Sequence, residues 1–263
     1  MVFMTPRPCR RICATIPRMQ HERPVALVTG AARRIGAATA RLLHARGHDL
    51  ALHYRSSGDA MQALQAELEA VRPGSVLALQ AELSDLPRLP ELVDATIERF
   101  GRLDALVNNA STYFATPVDT ATPAQWDALF ASNAQAPFFL SQAAAPHLAR
   151  QQGSIVNIVD IYAERPLPRH TLYCMAKAAL VMMTRSLAIE LGPEVRVNAV
   201  APGNVLWSDN PVKAETLAMV EARTALRRQG SPQDIAEAVL TCLRSGYMTG
   251  HVLAIDGGRR LHI

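Results

Sequence analysis

Aromatic residues are scarce in this chain, at 5%: 2 Trp, 5 Tyr and 6 Phe in 263 residues. Charged residues are sparse too, at 19%, against 49% hydrophobic. A mix dominated by Ala, Leu and Val suits helices packed on a buried sheet and speaks against a β-sandwich. The 4 cysteines, Cys9, Cys13, Cys174 and Cys242, form no Cys-x-x-Cys pair and stand beside no His cluster. That spacing argues against a zinc site and predicts free thiols in a reducing, cytoplasmic compartment. No uninterrupted apolar run approaches the ~18 residues of a membrane span. The N-terminus lacks the apolar core of a secretory signal.

Acid is nearly missing from the first two dozen residues. There Arg7, Arg10, Arg11, Arg18 and Arg23 oppose only Glu22, which accounts for the formal net charge of +4. The rest is balanced, so a pI near 9.1 predicts no nucleic-acid surface. The stretch has the composition of a transit peptide, but Pro6, Pro8 and Pro17 oppose the amphipathic helix such peptides form. Residues 1–23 are expected to be a disordered extension, or to precede a true start at Met19.

From Pro24 onward, strand-like apolar runs alternate with helical stretches. Strands are predicted at Val25–Thr29, Asp49–Tyr54, Val76–Gln80, Leu103–Asn108, Ser154–Val159, Val195–Ala201 and Val252–Ile255. Helices are predicted at Ile35–Arg46, Ala60–Val71, Leu89–Phe100, from Pro123, at Ala134–Arg150, at Thr171–Leu191, and from the Ser231-Pro232 cap to Ser245. This rhythm implies right-handed crossovers and a doubly wound parallel sheet, an α/β domain over residues 24–263. Such sheets bind ligands at the carboxyl ends of their strands, where the following motifs fall.

The first strand runs into Thr29-Gly30-Ala31-Ala32-Arg33-Arg34-Ile35-Gly36 and then a helix. Gly30 permits a tight turn, Gly36 permits close packing, and the helix N-terminus offers N–H groups to an anion. The motif falls short of a full G-x-G-x-x-G, and a plain glycine turn has the same look. The second strand ends in Tyr54-Arg55-Ser56-Ser57, with no acid before Asp59. An acid there would hold a ribose 2′-OH; Arg55, Ser56 and Ser57, helped by Arg33, suit a 2′-phosphate instead. The cofactor expected is therefore NADP(H). Tyr173 and Lys177 lie one helical turn apart, where an ammonium can lower the pKa of a phenol and fit it for proton exchange. A surface pair would share that spacing.

The ordered set Thr29-Gly30…Gly36, Asn108-Asn109-Ala110, Asn133, Tyr173…Lys177, Pro202-Gly203 and Asp256-Gly257-Gly258 resembles the short-chain dehydrogenase/reductase family over about Pro24 to Leu261. The resemblance implies a Rossmann-type NADP-binding catalytic domain and a homotetramer. It implies Tyr173 as proton donor and Lys177 as the group that lowers its pKa and holds the nicotinamide ribose. Asn133 would support Lys177 through water. Asn109, Ala110, Glu82, Leu83, Ile35, Pro202 and Gly203 would border the cofactor.

Two departures stand out. Asp160 occupies the place of the family's usual Ser, and Arg34 that of a further Gly. Both, with Leu52-His53-Tyr54-Arg55-Ser56, Ser111 and the Arg259-Arg260-Leu261 end, resemble the pteridine reductase branch. That likeness implies Asp160 working with Tyr173 to protonate a ring nitrogen, Tyr113 stacking on a pterin, and Arg34 and Ser111 meeting ligand or cofactor. It also makes Asn204-Val205-Leu206-Trp207 a short loop for the branch. A helix-capping Asp160 and a loop Tyr113 are the plainer alternatives. The expected activity is NADPH-dependent reduction of dihydropterins, such as dihydrobiopterin or dihydromonapterin, and of dihydrofolate. Alternatives are a ketone or 3-oxoacyl thioester reductase and a non-catalytic NADPH-binding module.

Overall fold

The computed structural model describes residues 23–205 and 214–261. The expectations for the N-terminal extension, Met19, Cys9, Cys13, Leu206 and Trp207 lie outside these residues. Seven strands form one parallel sheet: β1 (Val25–Val28), β2 (Asp49–Tyr54), β3 (Val76–Gln80), β4 (Ala105–Asn108), β5 (Ser154–Ile158), β6 (Arg196–Pro202) and β7 (Val252–Ile255). Their order is β3-β2-β1-β4-β5-β6-β7. Val25 pairs with Asp49 on one side of β1, while Ala26 pairs with Ala105 on the other. The chain thus reverses direction of growth between β1 and β4, and a crevice opens at the carboxyl ends of these two strands.

Strand pleating divides the core. Ala26 and Val28 face one apolar cluster with Leu50, Leu52 and Val107; Leu27 faces the other with Ala51 and Leu106. On the first face pack α1 (Arg34–Ala45), α2 (Gly58–Val71) and α8 (Pro232–Arg244). On the second pack α3 (Leu89–Phe100), α5 (Ala136–Ala149) and the end of α6 (Thr171–Glu190). Because both faces are covered, β1 and β4 are buried at every residue. This explains their continuous rather than alternating apolar sequence. The sheet and its two helical layers make a single doubly wound domain, as the sequence predicts.

Local chemistry sets the helix ends. Thr122 and Gln125 form a capping box at the start of α4 (Pro123–Phe130), and Ser231 and Asp234 do so for α8. At the other end of α8, the Arg196 guanidinium donates to the carbonyls of Cys242 (2.8 Å), Leu243 (2.6 Å) and Ser245 (2.9 Å). It closes carbonyls that the helix itself cannot satisfy.

Some boundaries differ from expectation. The two helices expected from Pro123 and at Ala134–Arg150 are α4 and α5, joined without a break by a π-turn, Ala131–Gln135. A short helix, α7 (Ala214–Ala222), was not signalled by any cap or strong periodicity. In α6 an 18-residue window reaches a mean hydropathy of 1.4, so length and composition alone would let it cross a membrane. Its spacing shows a core helix: Tyr173, Ala176, Lys177, Leu180, Thr184 and Leu187 are buried along one stripe.

Candidate active site

The crevice beyond β1 and β4 encloses a cavity of about 510 Å³. The turn after β1 lines it with Gly30, Arg33, Arg34, Ile35 and Gly36. The end of β2 adds Tyr54, Arg55, Ser56 and Ser57; the segments after β3 and β4 add Glu82, Leu83, Asn109, Ala110 and Ser111. Those expected cofactor residues are thus brought together. His53, Thr112 and Ser132 line it as well; of these only His53 falls within a sequence motif, and none has an expected role.

The turn is built for close approach. Gly30 has φ +61°, and a Cβ there would stand 2.9 Å from Ala110 Cα. A Cβ on Gly36 would overlap the Gly30 carbonyl and stand 2.7 Å from Asn109 Nδ2. Asn109 Nδ2 donates to the carbonyls of Thr29 (2.8 Å) and Gly30 (3.0 Å), binding the turn to the end of β4. The first turn of α1 has no side-chain cap and no acid, so it suits an anion. Arg34, at φ +51°, holds a left-handed conformation that favours glycine. Such backbone costs about 1–2 kcal/mol for an L-residue, a strain the fold sustains at the cleft wall. Across the cleft, Arg55 Nη1 lies 3.7 Å from the Glu82 carboxylate.

Pro202 and Gly203 do not line this cavity. Pro202 ends β6 in register with Ile255, and Gly203 lies against Asp256, where a Cβ would come within 2.6 Å of the Asp256 Cβ. Tyr173 and Lys177 also lie outside the cavity wall, in a second cluster beside it.

In that cluster Tyr173 Oη donates to Asp160 Oδ2 at 2.8 Å, and Asp160 Oδ1 accepts from the Tyr162 N–H at 2.9 Å. The plainer capping role and the partnership with Tyr173 therefore coexist, one on each carboxylate oxygen. Although the Asp160 residue keeps some surface, its carboxyl faces inward; burial raises its pKa against the pull of the two hydrogen bonds and of Lys177. The Tyr173 pKa is raised well above the ordinary phenol value, first by burial, then by the Asp160 charge and hydrogen bond; a Ser111 hydrogen bond opposes this. Lys177 is not among the groups that set this shift. Lys177 Nζ sits 5.8 Å from the Tyr173 ring centre and donates to the Ile158 carbonyl at 2.9 Å. Its partner in charge is Asp160, and burial lowers its own pKa to about 8.

Asn133 is fully buried in the π-turn. It accepts from Ser111 Oγ at 2.7 Å and donates to the carbonyls of Thr112 and Leu129, each at 2.9 Å. Its direct partners thus steady the loop after β4 beside Tyr173. Tyr113 is half exposed and touches Tyr173 edge to face, with ring centres 4.9 Å apart. It also stacks on His170 at 4.8 Å and 12°. The two loops carrying this pair are joined by the Thr116–His170 bridge and by Thr116 N–H donating to the Arg169 carbonyl at 2.6 Å. The sequence offered no signal for His170, because its role depends on a loop 57 residues away, at Tyr113.

The whole is a phosphate-fitting cleft beside a buried phenol, carboxyl and ammonium. A family model described as enoyl-(acyl carrier protein) reductase matches residues 30–260. Pteridine reductase 1 of Leishmania tarentolae is 38% identical, covering 90% of this chain and 96% of that protein. A protein of Streptomyces violaceoruber, named for ketoacyl reductase 2 of the granaticin polyketide synthase, is 39% identical, over 91% and 97%. The 3-oxoacyl-acyl-carrier-protein reductase FabG of Thermotoga maritima is 34% identical, over 91% and 99%. The chain belongs to the short-chain dehydrogenase/reductase family of oxidoreductases.

Proposed function

We propose that this protein is an NADPH-dependent reductase that converts a dihydropterin, such as dihydrobiopterin or dihydromonapterin, to its tetrahydro form, with dihydrofolate as a further substrate. The observation that carries this reading is the hydrogen bond from Tyr173 to the inward-facing Asp160 carboxyl. Carbonyl reduction develops negative charge on oxygen, which a neutral hydroxyl stabilises and a carboxylate repels. Reduction of a ring C=N ends instead with a proton on nitrogen, which a carboxyl–phenol pair can hold and deliver. The relationship to pteridine reductase 1 supports the same reading.

The cleft fits NADPH in its own chemistry. Its glycines admit a pyrophosphate against the backbone, and Arg33, Arg55, Ser56 and Ser57 offer donors to a 2′-phosphate. When bound, the cofactor supplies hydride. Lys177 would hold its nicotinamide ribose, and Asn109, Ala110, Pro202 and Gly203 would border it. Asp160 and Tyr173 retain the proton beside the reacting nitrogen, and the raised pKa of each favours its protonated form. Tyr113 offers a ring face to a flat substrate, while Arg34 and Ser111 flank the passage between cofactor and substrate. Asn133 positions Ser111.

The second reading is a 3-oxoacyl thioester reductase, favoured by the relationship to FabG. In either case residues 24–263 form the catalytic unit, placed in the cytoplasm. A homotetramer is supported by exposed apolar side chains on α5 and α6, among them Phe138, Phe139, Met182 and Ile189.

The deciding assay follows NADPH oxidation with dihydrobiopterin, dihydromonapterin, dihydrofolate and a 3-oxoacyl thioester in parallel. Turnover of a pterin alone is expected. Turnover of the thioester alone would overturn the pterin assignment, and silence with all four despite NADPH binding would leave a binding module.

A further inference from the structure

His53, near the end of β2, is 2% exposed and lines the cofactor cleft. Three of its atoms are engaged by the cleft walls. Its Nδ1 accepts from the Gly30 N–H at 3.2 Å. Its carbonyl accepts from the Ala31 N–H at 2.8 Å. Its Nε2 lies 3.1 Å from the Ala81 carbonyl. One residue therefore joins the glycine turn on one wall to the segment that carries Glu82 and Leu83 on another.

The chemistry of the partners dictates the tautomer. An amide N–H only donates, so Nδ1 must present a lone pair; a carbonyl only accepts, so Nε2 must carry the hydrogen. We infer that His53 is a positioning residue for the cofactor cleft, whose neutral, Nε2-protonated ring pins the Gly30 turn and releases it on taking up a second proton. Protonated Nδ1 would face the Gly30 N–H donor to donor, and one of the two would have to move. Gly30 sits at φ +61° with Ala110 packed behind it, so the turn has little room to adjust without changing the surface offered to a phosphate.

The groups around the ring set the sign. Glu82 favours the proton, as does the Ala81 hydrogen bond, but burial outweighs both and lowers the pKa. Arg33, Arg34 and Arg55 line the same cleft from the turn and from the end of β2. The neutral ring is therefore complete at neutral pH, and its hold is lost only as pH falls below the ordinary histidine value of about 6.5. This role rests on the nicotinamide-cofactor reading of the cleft and is independent of the substrate.

The test measures NADPH dissociation constants by fluorescence, from neutral to mildly acidic pH, for the wild type, His53→Asn and His53→Leu. Asn keeps an acceptor toward Gly30 but does not titrate; Leu removes it. Dividing the wild-type constant by that of His53→Asn at each pH cancels titration of the cofactor's own 2′-phosphate. At neutral pH His53→Asn should bind within a few-fold of wild type, and His53→Leu about tenfold more weakly. On acidification the ratio should rise several-fold. Nitrogen-15 NMR of the wild-type chain should show Nε2 protonated and Nδ1 bare at neutral pH, which decides the matter even if a variant fails to fold. A flat ratio, an unaltered His53→Leu or an Nδ1-protonated ring would overturn the role. Failure of NADPH to bind at neutral pH would instead overturn the cofactor reading, and the tautomer would still decide whether His53 ties the two walls.

Discussion

The Tyr173 phenol donates to Oδ2 of Asp160 at 2.8 Å: the carboxyl raises the pKa of the phenol, while the phenol's hydrogen bond pulls that of the carboxyl down against the larger upward push of burial. An ionised Asp160 makes phenolate costlier, and burial penalises a charge on either group. Both groups thus favour their protonated forms.

Replacing Tyr173 with Phe removes the hydroxyl and leaves the ring contacts with Tyr113. Pterin turnover should fall by about 10²–10⁴, the usual worth of a positioned acid. NADPH affinity, read by fluorescence, should stay close to wild type. Retained turnover would exclude Tyr173 as the donor.

Asp160→Ser restores a neutral hydroxyl. Pterin kcat/KM should drop by about a hundredfold with little change in NADPH affinity. Loss of the carboxylate also removes an upward push, so the Tyr173 phenol should ionise at lower pH in an ultraviolet titration. An unchanged phenol titration would separate Asp160 from Tyr173.

The pH profile should carry the mark of Lys177. Its pKa is lowered to about 8 by burial, so its charge is present below that value and lost as pH rises through it. The ammonium that would hold the nicotinamide ribose is lost with it, and kcat/KM should decline on the alkaline side of about 8. Lys177→Met, if folded, should be slow at every pH and lack that limb. A wild-type profile flat to well above this range would contradict the placement of Lys177.

Gly36→Ala introduces a Cβ against the Gly30 carbonyl and Asn109 Nδ2. The turn must shift, at about 1–3 kcal/mol of overpacking. NADPH affinity should fall by more than about tenfold. Calorimetry and a binding titration read the two effects, and unaltered binding would show that the turn tolerates expansion.

Arg196→Met removes the guanidinium from the end of α8. Several carbonyls lose a charged donor, and denaturant unfolding should report a loss of about 2–4 kcal/mol. Arg196 opens β6, at the end of the sheet opposite the cleft, so NADPH affinity of the folded protein should not change.

The sequence by itself determined the doubly wound sheet. Short apolar runs punctuated by Gly, Pro and capping residues are local signals, and β2, β3, α3 and β7 stand at their predicted limits. The order of Thr29-Gly30…Gly36 and Asn109-Ala110 located the cleft, and that of Tyr173…Lys177 the cluster beside it, because these groups sit at strand ends or one helical turn apart. Tertiary structure alone decided the rest. The phenol pKa turns on burial and on a carboxyl 13 residues away, so helix spacing pointed to Lys177 where the fold gives Asp160 the larger effect. The π-turn around Asn133 and the stack of Tyr113 on His170 arise from segments that meet only when β4, β5 and α6 are assembled. His53 lay within a recognised strand motif, yet its function depends on Gly30 and Ala81, partners brought to its two ring nitrogens by pairing of three different strands. Side-chain type and local spacing carry in the chain; desolvation and the direction of a hydrogen bond exist only once distant segments are packed together.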